Sequence, residues 1–418
     1  MASVPAYYLH IAFWTPIFAV VLPPSRYRAM SGFAILSFLL YDTRRLMATN
    51  TGEVPNVATY LLHFYLTIAL PRWIDYFMIH TPEEDFHRLV KQHNENGKEK
   101  LVPEPIPQNL WAKLEWGFNL NISFRGVGWN IQSENIPEGP PEGYSRIRFG
   151  ISQLLYIGIA QVMIEYIYLI MAATPYLSSS GRPDFSSDKY TTQAMVGYLV
   201  MANFYFSLRT IQAILSIIFT SIGYTTPSMW RPVFGTIIYD TTVRDRWGKG
   251  WHQLIRGSVS SPGKWLCKQL SFEKGSFKSK YTQLYVGMFV SAVAHSRPAS
   301  PTTSYPYTEY VFFLLQATYI MGEDHLSDWF EKKGYTNNAW SRLFDYTIVF
   351  FWFALTTPIC AYGTITDGLL ATQPHPPLHL LRSLPCDGCA SFSGMVLTRG
   401  VQTSLVVIAL CMFQKAVA

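Results

Sequence analysis

The chain has 418 residues, of which 49% are hydrophobic, 16% aromatic and 14% charged. Soluble domains carry roughly 25% charged residues, and the apolar runs here recur from one end of the chain to the other. That pattern excludes a disordered chain, a disulfide-stapled secreted scaffold and most soluble enzymes, and the five cysteines form no even-numbered framework.

A bilayer-crossing helix needs about 20 mostly apolar residues. In chain order, the apolar segments predicted are Tyr7–Leu22, a short Met30–Tyr41, Val57–Ile79, Gly150–Ala173, Thr192–Tyr224, Tyr285–Ala294, Tyr310–Met321, Tyr346–Tyr362 and Met395–Phe413. The opening MASVPAYYLH lacks a basic region before its apolar run, so the first segment is expected to be a retained anchor and not a cleaved signal. Several segments are too short to cross alone, and one is too long for a single upright span. Irregular segments of this kind are tolerated in a membrane only where they line an internal cavity. The expected fold is therefore all-α: a polytopic membrane protein with eight or nine transmembrane or re-entrant helices around a chamber.

Two polar stretches interrupt the pattern. Residues 81–149 carry ten Asp or Glu against eight Lys or Arg, and residues 225–282 carry ten Lys or Arg against three acids. Two spans separate them, so both are expected on one side, and the basic excess places that side in the cytosol. The sequon Asn121-Ile122-Ser123 would then be cytosolic and unmodified. The chain divides on this reading into N-terminal membrane helices (1–80), a cytosolic loop (81–149) and a membrane core (150–418) that contains the basic loop. That loop suits anionic lipid headgroups, or a phosphate-rich substrate such as a nucleotide-bearing thioester.

Three clusters carry candidate chemistry. In Asn119–Asn130, the run Arg125-Gly126-Val127-Gly128-Trp129-Asn130 reads as a tight turn; it follows no strand and lacks the length of a nucleotide loop. In Arg244–Arg256, RDRWGKGWHQLIR, Trp247 and Trp251 are four apart, as are His252 and Arg256, while Gly248 and Gly250 interrupt a regular helix. This reads either as an interfacial anchor or as an imidazole donor at the mouth of a cavity. His295 ends an apolar stretch with Gly287, Ser291, Ala292 and Ala294, small residues that permit close helix packing. An ionisable group there is either a general base or a side chain bonding a neighbouring helix. His10 and His63, in apolar runs, read as packed side chains; His87 and His93 as solvated; His325 as structural.

Taken in order, R-G-V-G-W-N, W-G-K-G-W-H-Q-L-I-R and V-S-A-V-A-H-S resemble the wax synthase branch of the membrane-bound O-acyltransferases, nearest to fungal proteins that acylate alcohols in terpenoid and meroterpenoid pathways. The likeness runs from about Trp111 to about His295. It implies His295 as catalytic base and His252 as second catalytic residue. Substrate contacts would come from Trp251, Gln253, Trp247, Arg244, Arg125, Trp129 and Asn130, with Gly126 and Gly128 in the upstream signature. Arg246 departs from a usual Phe and Ala292 from a common Gly, which bears on substrate shape.

The implied activity is acyl transfer, with acetyl favoured, from acyl-CoA to a hydroxyl of a lipophilic terpenoid-like acceptor, with no bound cofactor, no metal and no nucleic acid. The implied location is a multi-pass position in the endoplasmic reticulum membrane. Rivals are a long-chain wax or sterol ester synthase, a transporter in which His295 relays protons, and a terpene cyclase using Glu165 as acid. His375, His379, Cys386 and Cys389 have spacings a zinc site can use, although a disulfide or two thiols fits a lumenal loop better.

Overall fold

A computed structural model describes residues 5, 7–49, 57–93, 99–177, 184–237, 240–296, 307–334, 338–366, 380–386 and 392–417. The chain is mostly helical. Its principal helices are α1 (Tyr7–Ala19), α2 (Arg26–Thr49), α3 (Val57–Trp73), α4 (Leu110–Ile122), α5 (Arg146–Ala172), α6 (Tyr190–Ser221), α7 (Arg256–Gln269), α8 (Phe277–His295), α9 (Thr308–Lys332), α10 (Ala339–Thr366) and α11 (Phe392–Val417). One departure from the all-α expectation is an antiparallel hairpin in the first polar stretch, β1 (Leu89–His93) with β2 (Glu99–Pro103), in which Leu89 faces Pro103. The predicted segment Val57–Ile79 is also not one regular helix. It carries Pro71 and continues past Trp73 as a π-helical turn over Ile74–Ile79, the kind of local widening that prolines and functional sites favour.

Two compact units result, 1–135 with 238–342 and 136–237 with 343–418. In the first, α1, α2, α3 and α4 enclose a core that includes Leu36, Leu66, Trp73, Trp116, Leu120 and Trp129. The Trp73 indole donates to the carbonyl of Ala29 at 2.8 Å. It sits so close to Gly32 that a Cβ there would lie 2.0 Å from a ring carbon, so glycine is what lets α2 and α3 meet. Arg28, buried on α2, pairs with both oxygens of Glu83 and lies over the Phe77 ring. The same unit holds the three-helix group α7, α8 and α9, in which α8 packs on both of the others.

In the second unit, α5 runs against α6 and α11, and α10 lies against α6. Glu165, buried in α5, accepts the backbone N–H groups of Leu381 and Arg382 at 3.0 and 3.1 Å. It thereby caps the single turn Leu380–Ser383, while Arg399 of α11 donates to the carbonyls of Leu381 and Leu384 at the other end. A side chain that accepts two backbone amide donors acts as a structural cap. Four helices among the described residues are long and apolar enough to cross a membrane: Arg146–Ala172, Tyr190–Ser221, Trp340–Thr366 and Met395–Met412. They coincide with four of the predicted segments. The others fall short for visible reasons: α1 has only 13 residues, about 20 Å of rise, and α2 carries Arg28, Asp42, Arg44 and Arg45.

Gly197 on α6 marks the tightest contact with α10, since a Cβ there would lie 2.6 Å from the Thr357 hydroxyl and 2.9 Å from the Pro358 nitrogen. Gly197→Ala should therefore lower stability by about 1–3 kcal/mol through overpacking. Gly322→Ala on α9, where a Cβ meets nothing within 4 Å, should be neutral or stabilise by up to about 1 kcal/mol. Thermal unfolding of the two detergent-solubilised variants separates these outcomes.

Candidate active site

The segment before α7 is folded by its own side chains. Thr242 caps a short turn, Val243–Asp245, by accepting the Asp245 N–H at 2.9 Å. From α9, Glu323 accepts the N–H groups of Val243 and Arg244 at 2.9 and 3.0 Å. Arg244 grips both oxygens of Asp324, which also takes Lys280 at 2.8 Å and the Tyr281 hydroxyl at 3.1 Å. Arg244 thus ties the turn to α9. His325 next to this network stacks on Phe277 at 5.8 Å, in keeping with a structural role.

Residues Arg246–Gly250 form a π-helical turn, after which Trp251 is extended (φ −76°, ψ 157°). The interruption expected at Gly248 and Gly250 is present, and α7 begins only at Arg256. What closes the loop is Gln253. Its amide donates to the carbonyls of Trp247 and Trp251 at 3.0 and 2.6 Å, while its Oε1 accepts Arg256 at 2.8 Å. Arg256 also donates to the carbonyl of Gly248 at 2.9 Å. Beneath the loop, Asp240 pairs with Arg246 at 3.2 Å and occupies the space a side chain at Gly250 would need, since a Cβ there would lie 1.7 Å from Oδ2. Arg246, which departs from the resembled pattern, therefore has a buried acid as its partner. Burial pushes the Asp240 carboxyl up to about 6, against the pull of Arg246.

This loop brings His252 to His295. The two imidazoles, 43 positions apart in sequence, lie 6.4 Å apart between centroids with planes 28° from parallel. Around them, Phe313 lies 5.0 Å and Phe64 5.8 Å from the His295 ring. Trp251 lies 5.7 Å from His252. Trp247 packs on Phe312 and Phe313 and donates its indole N–H to Gln316 at 3.3 Å. His295, the last residue of α8, has Nδ1 2.7 Å from the carbonyl of Ser291. A carbonyl only accepts, so Nδ1 carries the proton and the Nε2 lone pair is left for chemistry. Burial, reinforced by the neighbouring His295, pushes the His252 imidazole down to about 3, so it is neutral at physiological pH and offers one N–H donor.

The upstream element is a turn that clips the first polar stretch together. Gly126 and Gly128 have positive φ, +63° and +79°, and a Cβ at Gly126 would lie 2.8 Å from the Ile131 carbonyl. Trp129 packs against Trp116. The Asn130 side chain accepts the His87 N–H and donates to the Asp85 carbonyl. Arg125 is buried, with its carbonyl accepting the Ser133 N–H at 2.9 Å. Five residues beyond Asn130, the Asn135 amide donates to the Gly248 carbonyl at 3.3 Å, which joins this stretch to the His252 loop. Sequence reasoning missed Asp240, Gln316, Phe64 and Phe313. An acid in a basic loop and aromatic residues in apolar runs carry no signal until the chain folds. Among the described residues no group of three or more His, Cys, Asp or Glu is arranged to hold a metal. Cys386 is disulfide-bonded, whereas His375, His379 and Cys389 lie outside the described residues.

Residues 230–315 match the model of the membrane bound O-acyl transferase family, a window that contains both histidines. The chain is 25% identical to the acetyltransferase sirH of Emericella nidulans, over 82% of this chain and 80% of that protein. It is 26% identical to the acetyltransferase ple2 of Rhodocybe pseudopiperita over 86% and 90%. It is also 26% identical to the O-Mevalon transferase yanI of Aspergillus niger over 74% and 73%. No solved structure matches.

The desolvated His252 gives a pH test. Its folded pKa of about 3 lies below the 6.5 of a free imidazole, so between these values the unfolded chain binds the extra proton. Stability contributed by this group is therefore complete above pH 6.5 and lost as pH falls towards 3. In His252→Gln the unfolding temperature should rise less between pH 4 and 7 than in wild type. Identical pH profiles would show that His252 is not buried in its neutral form.

Proposed function

We propose that this chain, an O-acyltransferase of the membrane-bound type, moves an acetyl group from acetyl-CoA to a hydroxyl of a lipophilic, terpenoid or meroterpenoid acceptor. The observation that carries the reading is the close pairing of the half-buried His252 and His295 inside the family-matched window. In this mechanism the Nε2 lone pair of His295 takes the acceptor's hydroxyl proton as its oxygen attacks the thioester carbonyl. The N–H of His252 stabilises the tetrahedral oxyanion. Collapse breaks the carbon–sulfur bond, and the imidazolium of His295 returns its proton to the leaving thiolate. No acyl-enzyme is needed. An aromatic, water-poor surround favours the alcohol over water and so suppresses thioester hydrolysis.

On this reading Trp247, Trp251 and Gln253 shape the donor side of a chamber. Arg244, Arg125, Trp129 and Asn130 contribute mainly by holding the loops that wall it. The protein would sit multi-pass in the endoplasmic reticulum membrane with eight or nine segments, four of them the long helices described above. The nucleotide of the donor would be drawn to the basic stretch 225–282 on the cytosolic side, and the acceptor would enter from lipid. A larger acyl group is the alternative worth testing, because some of the similar proteins are named O-Mevalon transferases.

Microsomes containing wild type or His295→Ala, supplied with labelled acyl-CoAs and a panel of hydroxylated terpenoids, test the assignment. Wild type should label a lipophilic product from acetyl-CoA, and loss of the base should reduce turnover by about 10²–10⁴-fold. Labelling only from longer acyl-CoAs would replace acetyl by a long-chain or branched donor. Equal labelling by both proteins would remove His295 from the chemistry.

A further inference from the structure

The helix that presents His295 ends on that residue, and helix ends leave backbone carbonyls without intrahelical partners. In surroundings without water such groups must be satisfied by the protein itself. Here the partners come from far away in the chain. The carbonyl of Ala294, just before His295, accepts the Thr67 hydroxyl at 2.7 Å. The carbonyl of Ser296, just after it, lies 3.1 Å from Nε2 of His63, which therefore donates. The Ser296 hydroxyl donates to the Val293 carbonyl at 2.7 Å and accepts a guanidinium N–H of Arg44 at 2.8 Å. Thr67, His63 and Ser296 are all buried. Phe64, next to His63 on α3, sets its ring edge-on against the His295 imidazole.

Resting on the reading above, we propose that His63 and Thr67 of α3, with Arg44 of α2, are positioning residues for the base. Thr67 and His63 pin the backbone on either side of His295 and Arg44 holds the Ser296 hydroxyl, while the Ser291 carbonyl pins the ring, so the height and rotation of Nε2 are set from both ends. Two features distinguish this from simple closure of a helix end. A histidine meets the Ser296 carbonyl and an arginine the Ser296 hydroxyl, where smaller hydroxyl or amide donors would suffice. Both also retain buried nitrogens, His63 Nδ1 and Arg44 Nε, with no hydrogen-bond partner among the described residues, so the pair is not arranged for its own satisfaction. The Thr67 hydroxyl has a second acceptor, the Phe64 carbonyl at 2.8 Å. Its single proton is drawn to α8 in competition with its own helix.

The test compares paired variants of the full-length protein. Thr67→Val keeps the shape and loses the donor, whereas Thr67→Ser keeps the donor. His63→Leu removes the N–H, whereas His63→Gln restores one. Misplacing a reacting group by about 1 Å costs about 10²-fold. Thr67→Val and His63→Leu should therefore lose about 10–100-fold in kcat, with KM for acetyl-CoA within about twofold of wild type. Thr67→Ser and His63→Gln should recover most of the loss. Folded Val and Leu variants with wild-type kcat, losses carried in KM, or losses the conservative variants do not restore would each overturn the proposal. Reactivity of His295 toward diethyl pyrocarbonate, read by peptide mass, needs no turnover. It should rise in Thr67→Val and stay low in Thr67→Ser, and equal reactivity in all variants would overturn the proposal. If no acyl-CoA labels product with wild type, the acyltransferase reading fails, and this reactivity alone still decides whether the base is held.

Discussion

The bond from Nδ1 of His295 to the carbonyl of Ser291 determines which nitrogen of this imidazole is left to act in the proposed mechanism. The ring lies between Phe64 and Phe313, and the Ser291 carbonyl, which can only accept, sets its tautomer. Desolvation beside Trp251 and His295 keeps the facing His252 neutral. Two uncharged imidazoles facing one space can divide the work of proton acceptor and oxyanion donor. Two charged ones could not share it.

Satisfying polar groups without water is the constraint that recurs through the molecule. Glu165 meets two amide N–H groups of a turn over 200 residues away, and Arg399 meets the carbonyls at that turn's other end. Gln253 uses both ends of its amide group to close the loop that presents His252. On the loop side, the partly solvent-exposed Arg244 and Lys280 converge with Tyr281 on the largely buried Asp324. Each of these is a polar side chain that hydropathy alone marks as a candidate for chemistry and that the fold uses as a fastening.

Glycines mark the places where the fastened parts touch. Gly250 yields its space to Asp240, Gly32 to the Trp73 ring and Gly197 to the backbone at Pro358. The two glycines of the R-G-V-G-W-N turn serve a different need, since both take the left-handed conformation that side chains resist. In that turn Trp129 and Asn130 are anchored to neighbouring rings and backbone, and the stretch reaches the His252 loop through Asn135.

Much of this was legible in the residues. The four long apolar runs that became α5, α6, α10 and α11 follow from length and composition, because a helix that must be apolar throughout leaves no ambiguity of period. The motifs around His252 and His295 were sufficient to point to the membrane-bound O-acyltransferases, whose model matches residues 230–315. The β1–β2 hairpin and the π-helical turns escaped, since short polar strands and one extra residue in a helical turn leave no periodic trace. The seat beneath His295 escaped as well: Arg44, His63 and Thr67 sit more than 220 positions before the carbonyls and hydroxyl they meet. Composition and motif determined what kind of chemistry the chain can perform. Only the tertiary structure decided which polar side chains are free to do it, because a hydrogen bond between remote residues is settled by packing and not by neighbourhood in sequence.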